Sequence, residues 1–281
     1  MTAASSTTIS NWLQKAQNSL EAGGIESARL DALVLLADET GHEKSWLLAH
    51  GDETLKASSL LRLRRAIERR TTHEPLAYIR GKIEFYGHEF VVDEHVLVPR
   101  PESEAILELL HEYLKNHTLE AIADIGTGSG ALAISAKLAH PELTVYASDI
   151  DSACIELAKR NASTLESAVT FVEGDLLQPL LPVFGNSQQA YAILCNLPYV
   201  PEAYPVNNAA KHEPRLALFG GSDGLDLYRQ LFTAIGGLSE KPIAIFTESL
   251  ESQHDALQTI ASKYGYIEAR ADGLAQLFSP A

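Results

Sequence analysis

The sequence predicts an α/β protein: a mostly parallel sheet with helices on both faces, preceded by a small N-terminal helical bundle and joined to it by a linking β-hairpin. Three observations predict this. From residue 120 onward, apolar runs of strand length alternate with amphipathic runs of helix length. The first 75 residues show only helical spacing of apolar side chains. Between these parts, residues 78–98 turn β-branched and aromatic.

The elements follow in order. Trp12, Leu13, Ala16 and Leu20 recur at helical spacing, as do Leu30, Leu33 and Leu36, then Leu60, Leu63 and Ile67. Gly23, Gly24, Gly41 and Gly51 punctuate them, so four or five short helices are expected. Tyr78 and Ile79, then Phe85 to Val98, with Gly81 and Gly87 between, read as the hairpin. Val98-Pro99-Arg100-Pro101 is extended, because each proline fixes its own φ and biases the residue before it. Residues 102–114 read as a helix. Strands are expected at 121–125, 144–147, 169–172, 191–195 and 243–246, with a closing pair at 266–269 and 276–279. Helices are expected at 131–139, 153–162, 225–235 and 256–264. The expected domains are therefore 1–75, a linker at 76–98, and 99–281.

Composition narrows the function. Of the 281 residues, 46% are hydrophobic and 21% charged, which excludes a disordered or collagen-like chain. No stretch approaches the roughly 20 apolar residues of a membrane span. The start, MTAASSTTISNWLQ, lacks the basic run and apolar core of a secretory leader. Two cysteines, Cys154 and Cys195, give no disulfide framework or zinc cluster, and a cytoplasmic location is expected. The scattered histidines, His88 and His95 among them, suggest no metal site. The net charge of −15 resides almost wholly beyond residue 75 and repels phosphate backbones, so no direct DNA binding is expected. Arg62, Arg64, Arg65, Arg69 and Arg70 form a basic run with two readings: a solvated face paired with acids such as Glu68, or a docking face for an acidic partner or RNA.

Asp124-Ile-Gly126-Thr127-Gly128-Ser129-Gly130 follows an apolar strand and opens a helix. Glycines there allow positive φ and let a ligand touch the backbone, and the helix start offers free N–H groups. The spacing differs from the dinucleotide fingerprint, and no Gly-Lys-Ser/Thr follows, so a P-loop is excluded. Asp149 ends the next strand, where an acid can accept from ribose hydroxyls. Asp175 and Leu176 follow the third strand and suit an adenine edge and face. Acidic walls at Asp124, Asp149 and Asp175 fit a cationic centre such as a sulfonium better than a pyrophosphate.

Asn196-Leu197-Pro198-Tyr199 follows the fourth strand, at the edge where open α/β sheets bind ligands. The Asn196 side-chain oxygen can accept one N–H of a planar amide or amine, and the next carbonyl can accept the second. Pro198 stiffens the turn and Tyr199 offers a flat face. An –NH2 group held this way aims its nitrogen at a methyl donor. Cys195, just before, reads as a buried thiol.

The motifs carry a resemblance. The chain resembles the class I S-adenosylmethionine-dependent methyltransferases that methylate nitrogen, whose motif reads Asn/Asp-Pro-Pro-Tyr. More narrowly, it is similar to the bacterial peptide chain release factor N5-glutamine methyltransferases. The segments Glu74 to Gly81, Glu84 to Gly87, Val98 to Glu104, the glycine loop and Glu213 to Leu225 carry it, the third and the last being the discriminating ones. The resemblance implies a Rossmann-like seven-stranded class I methyltransferase sheet. It implies S-adenosylmethionine at Gly126, Thr127, Gly128, Ser129, Gly130, Asp149, Asp175 and Leu176. Asn196, Leu197, Pro198 and Tyr199 would hold the substrate glutamine, with Asn196 and Tyr199 as the catalytic pair. Glu213 to Leu225 would form a wall beside the substrate. The partners implied are peptide chain release factors, met by a monomer whose helical part docks the substrate, with an effect on translation termination. One departure stands out: Leu197 replaces the first proline, which keeps the carbonyl but loosens the turn. Glutamine methylation of a ribosomal protein, adenine-N6 methylation of nucleic acid, and a noncatalytic adaptor remain as alternatives.

Overall fold

The structure, a computed structural model, describes residues 7–185 and 189–281. The first six residues of the start read above for a leader lie outside the described residues. Two compact units are present: the described residues up to Gly81 together with Val206–His212, and the described residues of Lys82–Pro205 together with Glu213–Ala281.

The first unit is built from α1 (Ile9–Ala22), α2 (Ala28–Thr40), α3 (Lys44–Ala49), α4 (Ala57–Thr71) and the short α5 (Leu76–Arg80). Thr8 caps α1, its hydroxyl accepting from the Asn11 N–H. Trp12, Leu20, Leu35, Leu36, Leu47, Leu63 and Ile67 form its core. The buried face of α2 is Ala28, Ala32, Leu35 and Leu36, so of the residues read at helical spacing Leu30 is exposed and Leu33 half-buried. The basic run on α4 is largely paired within this unit: Arg62 with Glu39, Arg64 with Glu68, Arg69 with Glu74, and Arg70 with Asp31 at 2.7 Å. Only the last of these pairs is well buried, and the exposed ones contribute little stability. His212 joins Val206–His212 to this unit, its ring nitrogen 2.8 Å from the Thr72 carbonyl.

The hairpin is shorter than expected. Strands β1 (Lys82–Phe85) and β2 (His88–Val91) pair antiparallel around Tyr86-Gly87, both at positive φ. Tyr78 and Ile79, read as part of the hairpin, lie in α5, where Tyr78 is buried and Gly81 ends the helix in the left-handed region. Residues 92–98 form no strand, although Val92, Val96 and Val98 are buried.

A 3-10 turn (Pro101–Ser103) leads into α6 (Glu104–Leu114), and the alternation then runs β3 (Ala121–Ile125), α7 (Ala131–Ala139), β4 (Thr144–Asp149), α8 (Ser152–Thr164), β5 (Val169–Glu173). The short α9 (Leu181–Phe184), β6 (Tyr191–Cys195), the short α10 (Arg215–Leu218), α11 (Asp226–Gly236), β7 (Ala244–Glu248), α12 (His254–Ser262), β8 (Tyr266–Asp272) and β9 (Ala275–Pro280) complete it. The seven-stranded sheet has the order β5-β4-β3-β6-β7-β9-β8. Its first five strands are parallel, and β9 inserts antiparallel between β7 and β8. Strand periodicity sorts the core onto two faces. Ile122, Ala192, Leu194 and Phe246 join α6 and α7 with Phe85 and Phe90 of the hairpin. Ala123, Ile125, Ile193, Cys195 and Ile245 join α11 and α12 on the other face. The chain reverses its direction of travel across the sheet between β3 and β6, which opens a crevice beyond their carboxyl ends.

Candidate active site

The crevice holds a cavity of about 190 Å³. Gly126, Thr127, Gly128, Ser129, Asp149, Asp175, Leu176, Asn196, Leu197 and Pro198 line it, bringing together residues read from four separate strand ends. A smaller cavity of about 60 Å³ adjoins it, lined by Asn196, Leu197, Pro198, Tyr199, Arg100 and Glu248 among others. Asn196, Leu197 and Pro198 thus face both.

The glycine loop is anchored at three points. The Gly126 and Thr127 N–H groups donate to the Ser148 carbonyl at 2.8 and 2.9 Å. The Thr127 hydroxyl and the Ala133 N–H donate to the same Asp124 carboxylate oxygen, at 2.6 and 3.2 Å. The Gly128 N–H donates to Asp149 Oδ2 at 2.8 Å. Asp124 is therefore a brace beneath the loop, buried and absent from the cavity lining, and the expected acidic wall at that position is corrected. Its fully buried carboxyl has a pKa pushed up to about 7 by desolvation, against the lowering effect of Thr127 and Ala133. Burial also raises the Asp149 pKa, while the N–H groups of Asp151 and Gly128 pull it down.

Gly130 does not line the cavity; packing accounts for the glycine. It sits at φ 83 as α7 begins, and a Cβ there would lie 2.9 Å from Ile134 and 3.1 Å from Ala158. Asn161 on α8 is a brace that sequence reading missed. Its amide donates to the Ser129 and Val91 carbonyls at 2.9 and 3.0 Å, and its oxygen accepts from the Val91 N–H. From 70 residues beyond Val91, it ties the hairpin to the loop.

Leu197 is buried against the glycine loop, its Cδ2 3.0 Å from where a Gly126 Cβ would stand. The leucine that replaces the expected proline thus packs one motif on the other. The Asn196 side chain donates from Nδ2 to Ser103 Oγ at 2.8 Å, leaving Oδ1 as the acceptor. The Tyr199 hydroxyl donates to Glu248 Oε1 at 2.9 Å. Neither Ser103 nor Glu248 was singled out from sequence.

The 213–225 segment lies directly on the tetrapeptide. The Val200 N–H donates to the Leu218 carbonyl and the Gly220 N–H to the Val200 carbonyl. A Cβ on Gly220 would strike the Pro198 carbonyl at 2.2 Å, so the close approach requires glycine. Glu213 is buried, accepts from the Val98 N–H and pairs with Arg100, joining the two discriminating segments. Desolvation pushes the Glu213 pKa up, while Arg100 pulls it down. Pro214, Leu216 and Ala217 then contribute to the larger cavity. Cys154 and Cys195 are buried free thiols whose pKa values burial raises, which makes them poor nucleophiles. Asp93, Glu94 and His95 place three side-chain ligand atoms within 4.8 Å of one another.

A family model described as the methyltransferase small domain matches residues 104–211, and one described as the PrmC N-terminal domain matches residues 11–81. In fold the chain is similar to the catalytic domain of hMettl16 solved with MAT2A 3′UTR hairpin 6, with TM-score 0.53 and 14% identity over 82% of this chain and 84% of that one. It is also similar to the N-terminal domain of human METTL16 solved with SAH, with TM-score 0.51 and 16% identity over 89% of this chain and 94% of that one. Sheet topology and the matched domain together define a class I methyltransferase. The chain is 39% identical to the release factor glutamine methyltransferase of Moorella thermoacetica, covering 92% of this chain and 91% of that protein. It is 34% identical to that of Enterococcus faecalis, covering 90% and 89%. It belongs to the release factor glutamine methyltransferase family.

Proposed function

We propose that this chain transfers a methyl group from S-adenosylmethionine to the side-chain amide nitrogen (N5) of a glutamine in a peptide chain release factor. The observation that carries the reading is the continuity of the glycine-loop cavity with Asn196, whose Oδ1 is left as the acceptor. The residues present fit the cofactor: loop backbone at Gly126 to Ser129, apolar walls at Ile150 and Leu176, and carboxylates at Asp149 and Asp175. Asp149 would accept from the ribose hydroxyls, and Asp175 with Leu176 would hold the base. When bound, the cofactor supplies an electrophilic methyl group on a sulfonium.

Asn196 Oδ1 and the Leu197 carbonyl would each accept one N–H of the glutamine carboxamide, presenting its nitrogen in line. An amide nitrogen is a weak nucleophile, so alignment carries most of the rate, on the order of 7–11 kcal/mol in favourable cases. As positive charge grows on the nitrogen, both acceptors bind more strongly than in the ground state. Tyr199, fixed through its hydroxyl, stiffens the substrate wall. The helical unit would dock the body of the release factor and supply remote binding energy. We place this activity in the cytoplasm; no helix among the described residues is long and apolar enough to cross a membrane.

The test is incubation with S-adenosylmethionine and release factor, followed by mass analysis of the factor's peptides. One added methyl on a glutamine is expected. An unmarked release factor beside a methylated ribosomal protein or adenine would move the substrate to one of those classes.

A further inference from the structure

We propose that Glu248 is a positioning residue that sets which end of the Asn196 carboxamide faces the substrate, and so makes the site select an N–H donor. The inference rests on the reading of Asn196 above and deepens it. Glu248 ends β7, and the register Cys195↔Thr247 puts it beside Asn196 at the carboxyl edge of the sheet. It is 1% exposed and lines the smaller cavity together with Asn196 and Tyr199. Its Oε1 accepts from the Tyr199 hydroxyl at 2.9 Å, and the Ser103 hydroxyl and the Asn196 amide act on the same carboxylate.

The physical problem is an ambiguity. Ser103 Oγ accepts from Asn196 Nδ2 at 2.8 Å, but a hydroxyl can equally donate to an amide oxygen, so Ser103 alone would tolerate either orientation of the amide. A carboxylate is an acceptor only. Glu248 draws the hydroxyl hydrogens of Ser103 and Tyr199 toward itself, which leaves the Ser103 lone pairs to receive an N–H. It also repels a carbonyl oxygen turned its way. Both effects hold Nδ2 inward and Oδ1 toward the incoming substrate. Desolvation raises the Glu248 pKa, and Ser103, Tyr199 and Asn196 act against it in that order, each favouring the anion. Arg100, across the same small cavity, is engaged with Glu213.

The test compares wild type with Glu248→Gln, a near-isostere that can donate as well as accept. Methylation of a glutamine-bearing release factor should fall by about tenfold to a hundredfold in kcat, the scale of one charge-assisted hydrogen bond. Cofactor Kd, read by calorimetry, should stay within about twofold because Glu248 does not line the larger cavity. Preference for the glutamine substrate over its glutamate isostere in binding competition should narrow. Glu248→Asp, which keeps the charge, should retain that preference. The exchange Asn196→Asp with Glu248→Gln places an acceptor-only group at position 196 again, so the double variant should exceed Asn196→Asp alone by at least about tenfold. Wild-type preference in Glu248→Gln, or strictly additive losses in the double variant, would overturn the inference and leave the proposed function standing. If Glu248→Gln fails to fold, retention by Glu248→Asp of wild-type stability with loss of the preference would overturn it equally. Failure of the wild type to methylate any glutamine would remove the proposed function, and this inference with it.

Discussion

Each oxygen of Asp149 already accepts one backbone N–H, from Gly128 on one side and Asp151 on the other. The carboxylate is thus fixed before any ligand arrives, with remaining lone pairs on the cavity wall. Asp149→Ala should weaken S-adenosylmethionine binding by about tenfold to a hundredfold in calorimetry, since it removes charged acceptors and loosens the loop. Unchanged affinity would take Asp149 out of the ribose site. Asp124 has a different consequence. With a folded pKa of about 7, above the ordinary 3.8, its protonated form is favoured in the fold. Its contribution to stability is full below about pH 4 and is lost as the pH rises through about 7. Asp124→Asn should therefore flatten the decline in Tm between mildly acidic and neutral pH. An unchanged slope would show that the carboxyl titrates normally.

At the scale of elements, the glycine loop is held by neighbours rather than by its own sequence. Gly130→Ala forces a left-handed residue against Ile134 and Ala158, and should cost about 2–4 kcal/mol in denaturant unfolding. A loss below about 1 kcal/mol would mean that α7 and α8 can move apart. The strands were legible because β3, β6 and β7 are buried along their whole length and read as apolar runs bounded by turns. The start of the hairpin was not legible: Tyr78 and Ile79 favour strands, but Ile79 packs against the core of the helical unit, and both residues lie in α5. On α2, residue type alone suggested Leu30, whereas small Ala28 and Ala32 let that helix pack closely through another face. The backbone contacts of the site could be read because glycine and proline betray them. Its side-chain supports could not. Ser103 meets Asn196 from 93 residues away, and Glu248 meets Tyr199 from 49, with no spacing in the chain to announce either pairing. Asp124 was misplaced for a related reason: an acid at a strand end can face a ligand or turn back to cap the helix that follows, and only packing decides.

For the whole molecule, charge and architecture narrow the substrate. Almost all of the net negative charge lies beyond residue 75, in the part of the chain that carries the crevice, and such charge disfavours a polyphosphate backbone. Fluorescence anisotropy with duplex DNA at physiological salt should show no specific binding; tight binding would restore adenine as a substrate. The arginines of α4 do not reverse this, since most are spent on acids of their own unit. The account centres on one reaction space in which the loop after β3 holds the methyl donor and the tetrapeptide after β6 holds the acceptor. Asn196→Ala tests it most directly, with cofactor affinity measured by calorimetry and methyl incorporation into release factor measured by mass on the same preparation. The account predicts wild-type affinity with methyl transfer abolished; loss of both together, or retention of both, would contradict it.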